Sequence, residues 1–185
     1  MFIDCIQRHL AVCAQLDLTR MAKMDANFWN VVSIREPSRP QILRQGFKQV
    51  HTVIVYDADT KEAEHYEGSL GIPRREHLQG IYRFADATAG EPLLIHCWAG
   101  VSRSTAIALS LIARAMHDDG YSLDEIKNEA VNILLAIRRQ AAPNPLILEF
   151  GLAEFLPPDV AREFVIEWVN HPVLFANRHA GSEPQ

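Results

Sequence analysis

Apolar residues in this chain gather into short continuous runs divided by longer stretches whose apolar positions recur at helical spacing. Residues 9–13, 29–34, 50–56 and 92–95 are brief and apolar or β-branched, and read as strands. Helices are expected over residues 16–24, 73–87, 104–116, 146–155 and 159–169, with another following Ser122-Leu123-Asp124-Glu125, a capping box. Pro73 suits a first helical position, and Leu78, Ile81, Tyr82 and Ala85 then share one face. The helix after Ser122 presents Ile126, Ala130, Ile133, Leu134 and Ile137. Gly120 and Pro143-Asn144-Pro145 are stop signals. The β-branched run 50–56 is expected in the middle of the sheet, and the stretch 35–40 closes the strand before it. Residues 57–74 form a long polar segment of the kind that often carries function.

Strands alternating with helices predict an α/β fold, a central mostly parallel sheet with helices on both faces. In such a sheet the site lies off the carboxyl ends of the strands. The chain has 185 residues, 48% of them apolar and 22% charged, which suits a single domain over 1–176 with a flexible tail over 177–185.

A formal net charge of −5 supplies no chain-wide basic field, so neither nucleic acid nor membrane is expected as a partner. Three cysteines, Cys5, Cys13 and Cys97, make no disulfide framework, and no Cys/His cluster shows zinc spacing. With no signal-peptide pattern and no long apolar span, a cytoplasmic protein without metal or cofactor is expected.

The most specific string is His96-Cys97-Trp98-Ala99-Gly100-Val101-Ser102-Arg103-Ser104, entered from an apolar strand and left through a helix. A strand-loop-helix unit aims loop N–H groups and a helix N-terminus at one spot, which suits a phosphate. Arg103 adds a planar fork of donors, and the same positive surroundings favour the thiolate, the nucleophilic form of cysteine. Trp98, Ala99, Gly100, Val101, Ser102 and Arg103 are the candidate phosphate cradle. An unremarkable alternative is a buried structural cysteine beside a surface arginine.

This string resembles the catalytic loop of the cysteine-dependent protein tyrosine phosphatases, and Ala-Gly-x-Ser-Arg-Ser is most similar to the dual-specificity branch. The resemblance implies a phosphocysteine intermediate on Cys97, no metal, and a Ser104 hydroxyl that hydrogen-bonds the thiolate. It also implies a supporting His96 and an Asp general acid, just past a strand some thirty to forty residues upstream of the nucleophile. Asp57 and Asp59 both qualify: Asp57 directly ends Val53-Ile54-Val55-Tyr56, Asp59 fits members with a longer loop, and Glu64 and Glu67 stay open. Arg138-Arg139-Gln140-Ala141-Ala142-Pro143-Asn144-Pro145 resembles the Arg-rich helix end and Pro-Asn turn of the same branch, where Asn144 braces the loop or simply makes the turn. Trp98 departs from the pattern as a large aromatic that either walls the pocket or packs beneath it. Arg74 and Arg75 read as surface-helix residues.

The expected substrate is a phosphorylated protein or a small phosphomonoester. The rivals are a catalytically silent phosphate-binding module and, less closely, a sulfurtransferase or a redox enzyme with a resolving disulfide from Cys97 to Cys5 or Cys13.

Overall fold

The computed structural model describes residues 1–37, 45–58 and 71–180. Its five-stranded sheet contains β1 (Phe2–Ile3), β2 (Arg8–Ala14), β3 (Asn30–Arg35), β4 (Gln49–Ile54) and β5 (Leu93–Cys97), in the order β1-β2-β5-β3-β4. All neighbours run parallel except β1, which is antiparallel to β2. The fold is thus the expected α/β one. Helices α1 (Leu18–Met24) and α2 (Arg75–Ala87) serve the crossovers, and α3 (Arg103–Asp118), α4 (Leu123–Ile137), α5 (Pro145–Leu152), α6 (Pro158–Val169) and α7 (Pro172–His179) follow β5.

The pleat sorts alternate residues of each strand to opposite faces. Leu10, Val12, Val32, Ile34, Leu93, Ile95 and Cys97 enter the main core with residues of α2 to α7. Cys13, Val31 and Leu94 face a smaller core with Leu18 of α1 and Trp29. Helices therefore cover both faces, but unequally. β5 lies at the centre with all five residues buried.

α3 is buried all round from residue 103 to residue 113, the mark of a helix running through a core rather than over it. Small residues let its neighbours approach: a Cβ on Gly151 of α5 would meet the Ser110 Oγ at 2.6 Å. The Gly151 carbonyl accepts from the buried Tyr82 hydroxyl at 2.8 Å, joining α2 to α5. Elsewhere Arg8 is buried and fastens the end of α2, donating to the Glu91 carbonyl at 2.8 Å, the Ala85 carbonyl at 3.2 Å and the Thr88 carbonyl.

Four expectations change. The run 50–56 supplies β4 at the sheet edge among the described residues, and Val53 is the one buried residue of that strand; β-branched composition reports fit to a pleated surface, not rank within a sheet. α2 begins at Arg75 rather than Pro73, because the Arg74 N–H is already met by His77 Nδ1 at 3.1 Å in a capping arrangement. α5 spans Pro145–Leu152, opening earlier and closing sooner than 146–155. Finally, Asn177, Arg178 and His179 are no loose tail but the last turn of α7, anchored by the fully buried Leu174. Among the described residues no helix is long and apolar enough to cross a membrane.

Candidate active site

β5 ends at Cys97 and α3 begins at Arg103, so the five residues between them must turn sharply at the carboxyl edge of the sheet. Gly100 makes the turn with φ of 66°, and a Cβ there would lie 2.4 Å from the Cys13 carbonyl carbon, so only glycine fits.

The loop carbonyls are all accounted for. Trp98 O accepts from the Gln15 N–H at 3.1 Å, and the Arg138 guanidinium donates to Ala99 O at 3.2 Å and Gly100 O at 2.9 Å. Val101 O accepts from the Ala142 N–H at 2.9 Å and Ser102 O from the Asn144 N–H at 3.3 Å. Residues 138–144 thus run beside the loop as a strap. In a trans peptide the carbonyl of one residue and the N–H of the next point in opposite directions, and the chain has no cis bonds among the described residues. Turning the carbonyls of residues 98–102 outward to Gln15 and the strap therefore turns the N–H groups of residues 99–103 the other way. Those of residues 99–102 meet no acceptor among the described residues.

Cys97 is buried, and its Sγ lies 3.1 Å from the Ser104 Oγ in the first turn of α3. Arg103, also buried, donates through Nη1 to the Val55 carbonyl at 3.0 Å and through Nη2 to the Glu36 carboxylate at 2.8 Å. Its Nε has no hydrogen-bond partner among the described residues, the nearest carboxylate oxygen being Asp57 Oδ2 at 3.6 Å. Two bonds hold the guanidinium plane and leave one buried donor open.

Asp57 stands over the loop. Its Oδ1 accepts from Ser102 Oγ at 2.7 Å and from Asn144 Nδ2 at 2.9 Å. The same Nδ2 donates to Ala58 O at 3.0 Å, while Asn144 Oδ1 caps α5 through the Ile147 N–H at 3.0 Å. One side chain therefore ties the Asp57 segment, the loop and α5 together. Asp59, Glu64 and Glu67 lie outside the described residues. Arg75 lies on the exposed surface of α2, paired with Glu154.

His96 is fully buried and neutral: burial pushes its imidazole down to about 4. Neither ring nitrogen makes a hydrogen bond of full geometry among the described residues, though the Cys97 backbone lies close enough to act on the ring's titration. Trp98 is 40% exposed, so it does not pack beneath the loop. Cys13 cannot act as a resolving thiol in this arrangement. It faces the core on the opposite side of the sheet from Cys97, and burial pushes its thiol up to about 12.

Sequence reasoning missed Glu36, Asn177 and Arg178. A signal existed for Glu36, a carboxylate directly past the carboxyl end of β3, the strand beside β5. Arg138 carried only its family likeness, and the two α7 residues carried no signal at all.

No family model and no curated protein sequence matches the chain. Solved structures do. Tk-PTP in its active form is similar at 23% identity over 80% of this chain and 92% of its own, with a TM-score of 0.52. DUSP15 is similar at 25% identity over 85% and 90%, with a TM-score of 0.51, and human DUSP28 at 19% over 86% and 92%, with a TM-score of 0.50. Together with the sheet order and the loop between β5 and α3, these likenesses show that the chain has a dual-specificity phosphatase-like fold.

Proposed function

We propose that the chain is a cysteine-dependent phosphomonoester hydrolase, a protein tyrosine or dual-specificity phosphatase formed by a single domain and working in the cytoplasm without metal or cofactor. One observation carries this reading: five consecutive loop carbonyls are turned outward and satisfied, which leaves a ring of N–H groups and the open Arg103 Nε around Cys97. Such preorganised donors match the equatorial oxygens of a phosphoryl group in transfer.

The Cys97 thiolate attacks phosphorus, forming the S–P bond as the bond to the ester oxygen breaks, and the departing oxygen takes a proton from Asp57. Water then attacks the phosphocysteine, Asp57 takes back a proton, and inorganic phosphate leaves with the thiolate restored. The Ser104 hydroxyl, 3.1 Å from the sulfur, supports the thiolate as it leaves in this second step. Asp57 is preferred as the acid because two donors and the loop fix it over the cradle. A phosphorylated protein or a small phosphomonoester is the substrate class.

The test is hydrolysis of 4-nitrophenyl phosphate without added metal, comparing wild type with Cys97→Ser, Asp57→Ala and Asp59→Ala across pH. The reading expects turnover that Cys97→Ser abolishes and an acid-limb dependence that Asp57→Ala removes. Loss of that dependence in Asp59→Ala instead would move the acid. A wild type that binds phosphopeptide but never turns over is a phosphate-binding module.

A further inference from the structure

The C-terminal helix α7 reaches the site through the strap. Asn177 Nδ2 donates to Arg139 O at 2.8 Å and Ala141 O at 2.9 Å, and Arg178 Nη2 donates to Pro143 O at 2.7 Å. Residues 138–144 lie between α4 and α5 without regular structure, so their carbonyls depend on such side chains. Ala141, Ala142 and Asn144 are buried, so the segment's path is fixed from both sides: α7 holds its carbonyls, while its N–H and side-chain donors hold the loop and Asp57. Arg178 also lies within electrostatic reach of Asp57; burial lowers the guanidinium's pKa, and the carboxylate's charge works against that.

We infer that Asn177 and Arg178 are positioning residues for the general acid: by fixing residues 139–143 they set where Asn144 holds Asp57 relative to the cradle. The inference rests on the phosphatase reading and adds to it that the last helix belongs to the catalytic apparatus. Two bonded contacts separate α7 from the acid, whereas the nucleophile and Arg103 are held by β5, α3, Val55 and Glu36, none of which touches α7 through these bonds. Loosening α7 should therefore disturb proton delivery more than anion binding, which the strap also serves through the Ala142 and Asn144 N–H bonds to the loop.

Leaving-group dependence separates these effects. An enzyme that loses its acid slows most on esters whose leaving oxygen needs a proton and least on those whose leaving group departs as a stable anion. The experiment compares wild type, Asn177→Ala/Arg178→Ala and Arg178→Lys on phenyl phosphate and on 4-nitrophenyl phosphate, with orthovanadate inhibition measured alongside. The double variant is expected to lose roughly tenfold or more in kcat on phenyl phosphate and less than about threefold on 4-nitrophenyl phosphate, with vanadate affinity weakened by no more than about threefold. Arg178→Lys, which keeps the charge and a donor, should recover most of the phenyl phosphate rate.

Equal losses on both esters, a vanadate affinity weakened as far as the phenyl phosphate rate, or no loss at all would overturn the positioning role while leaving the phosphatase reading intact. If the double variant fails to fold, a chain with Arg178→Ala alone gives the same ratio, and an unchanged ratio there overturns the role. A wild type without turnover overturns both.

Discussion

Among the described residues two arginines are buried, Arg8 at 5% exposure and Arg103 at 3%, and they are held in different ways. Arg8 spends its donors on carbonyls: Glu91, Ala85 and Thr88 receive Nε, Nη1 and Nη2, and the Thr88 hydroxyl takes a further bond at 3.2 Å. Arg103 is fastened by hydrogen bonds from Nη1 and Nη2, while its Nε makes none among the described residues and faces Asp57 Oδ2 at 3.6 Å. A buried guanidinium with every edge bonded can only fasten structure. One whose Nε edge is not hydrogen-bonded within the fold is desolvated and aligned to donate to an anion there.

The comparison predicts opposite phenotypes. Arg103→Lys replaces the planar fork with a single ammonium, and should lower kcat/KM on 4-nitrophenyl phosphate by roughly 10²–10³-fold with little change in melting temperature. Arg8→Met should do the reverse, lowering the unfolding free energy in urea by about 3 kcal/mol because buried carbonyls lose their donors, while turnover per folded molecule stays at the wild-type level. A large activity loss in Arg8→Met would break the distinction.

His96 extends the comparison to a buried polar side chain whose ring nitrogens lack a hydrogen bond of full geometry among the described residues. Its pKa is lowered by burial from an ordinary 6.5 to about 4, so the unfolded chain binds the proton first as pH falls. Stability from the neutral ring is complete above pH 6.5 and declines as pH drops toward 4. The unfolding free energy should fall by about 2 kcal/mol between pH 7 and pH 5, and His96→Gln should flatten that slope. The smallest effect concerns the two cysteines on opposite faces of the sheet. Cys13→Ala should leave both turnover and inactivation by hydrogen peroxide unchanged, and protection from peroxide in that variant would show that Cys13 reaches Cys97 after all.

The local parts of the molecule were legible in the sequence because they are coded locally. The apolar run of β5, the loop string and the Ala- and Leu-rich α3 are contiguous, and their order alone predicts a strand, an anion-binding turn and a helix. Ser122 and Glu125 announced α4 through a box whose two bonds are both made. The same reading placed the segment 50–56 at the centre of the sheet, since alternation and β-branching look alike at centre and edge. It also took residues 177–179 as a tail, since Asn177-Arg178-His179 is polar and its bonds go to the distant strap.

The sequence by itself determined the alternation of strands and helices and the position of a thiol and a guanidinium at the two ends of a tight loop. Tertiary structure alone decided which carboxylate steadies Arg103 and which side chains turn the loop carbonyls outward. It alone also set Asp57 against Ser102 and Asn144, and brought the last helix to the strap. The reason is range. Capping, turning and pleating depend on neighbours a few residues apart, whereas the bonds from Glu36 to Arg103, from Asn144 to Asp57 and from Arg178 to Pro143 join residues separated by 67, 87 and 35 positions.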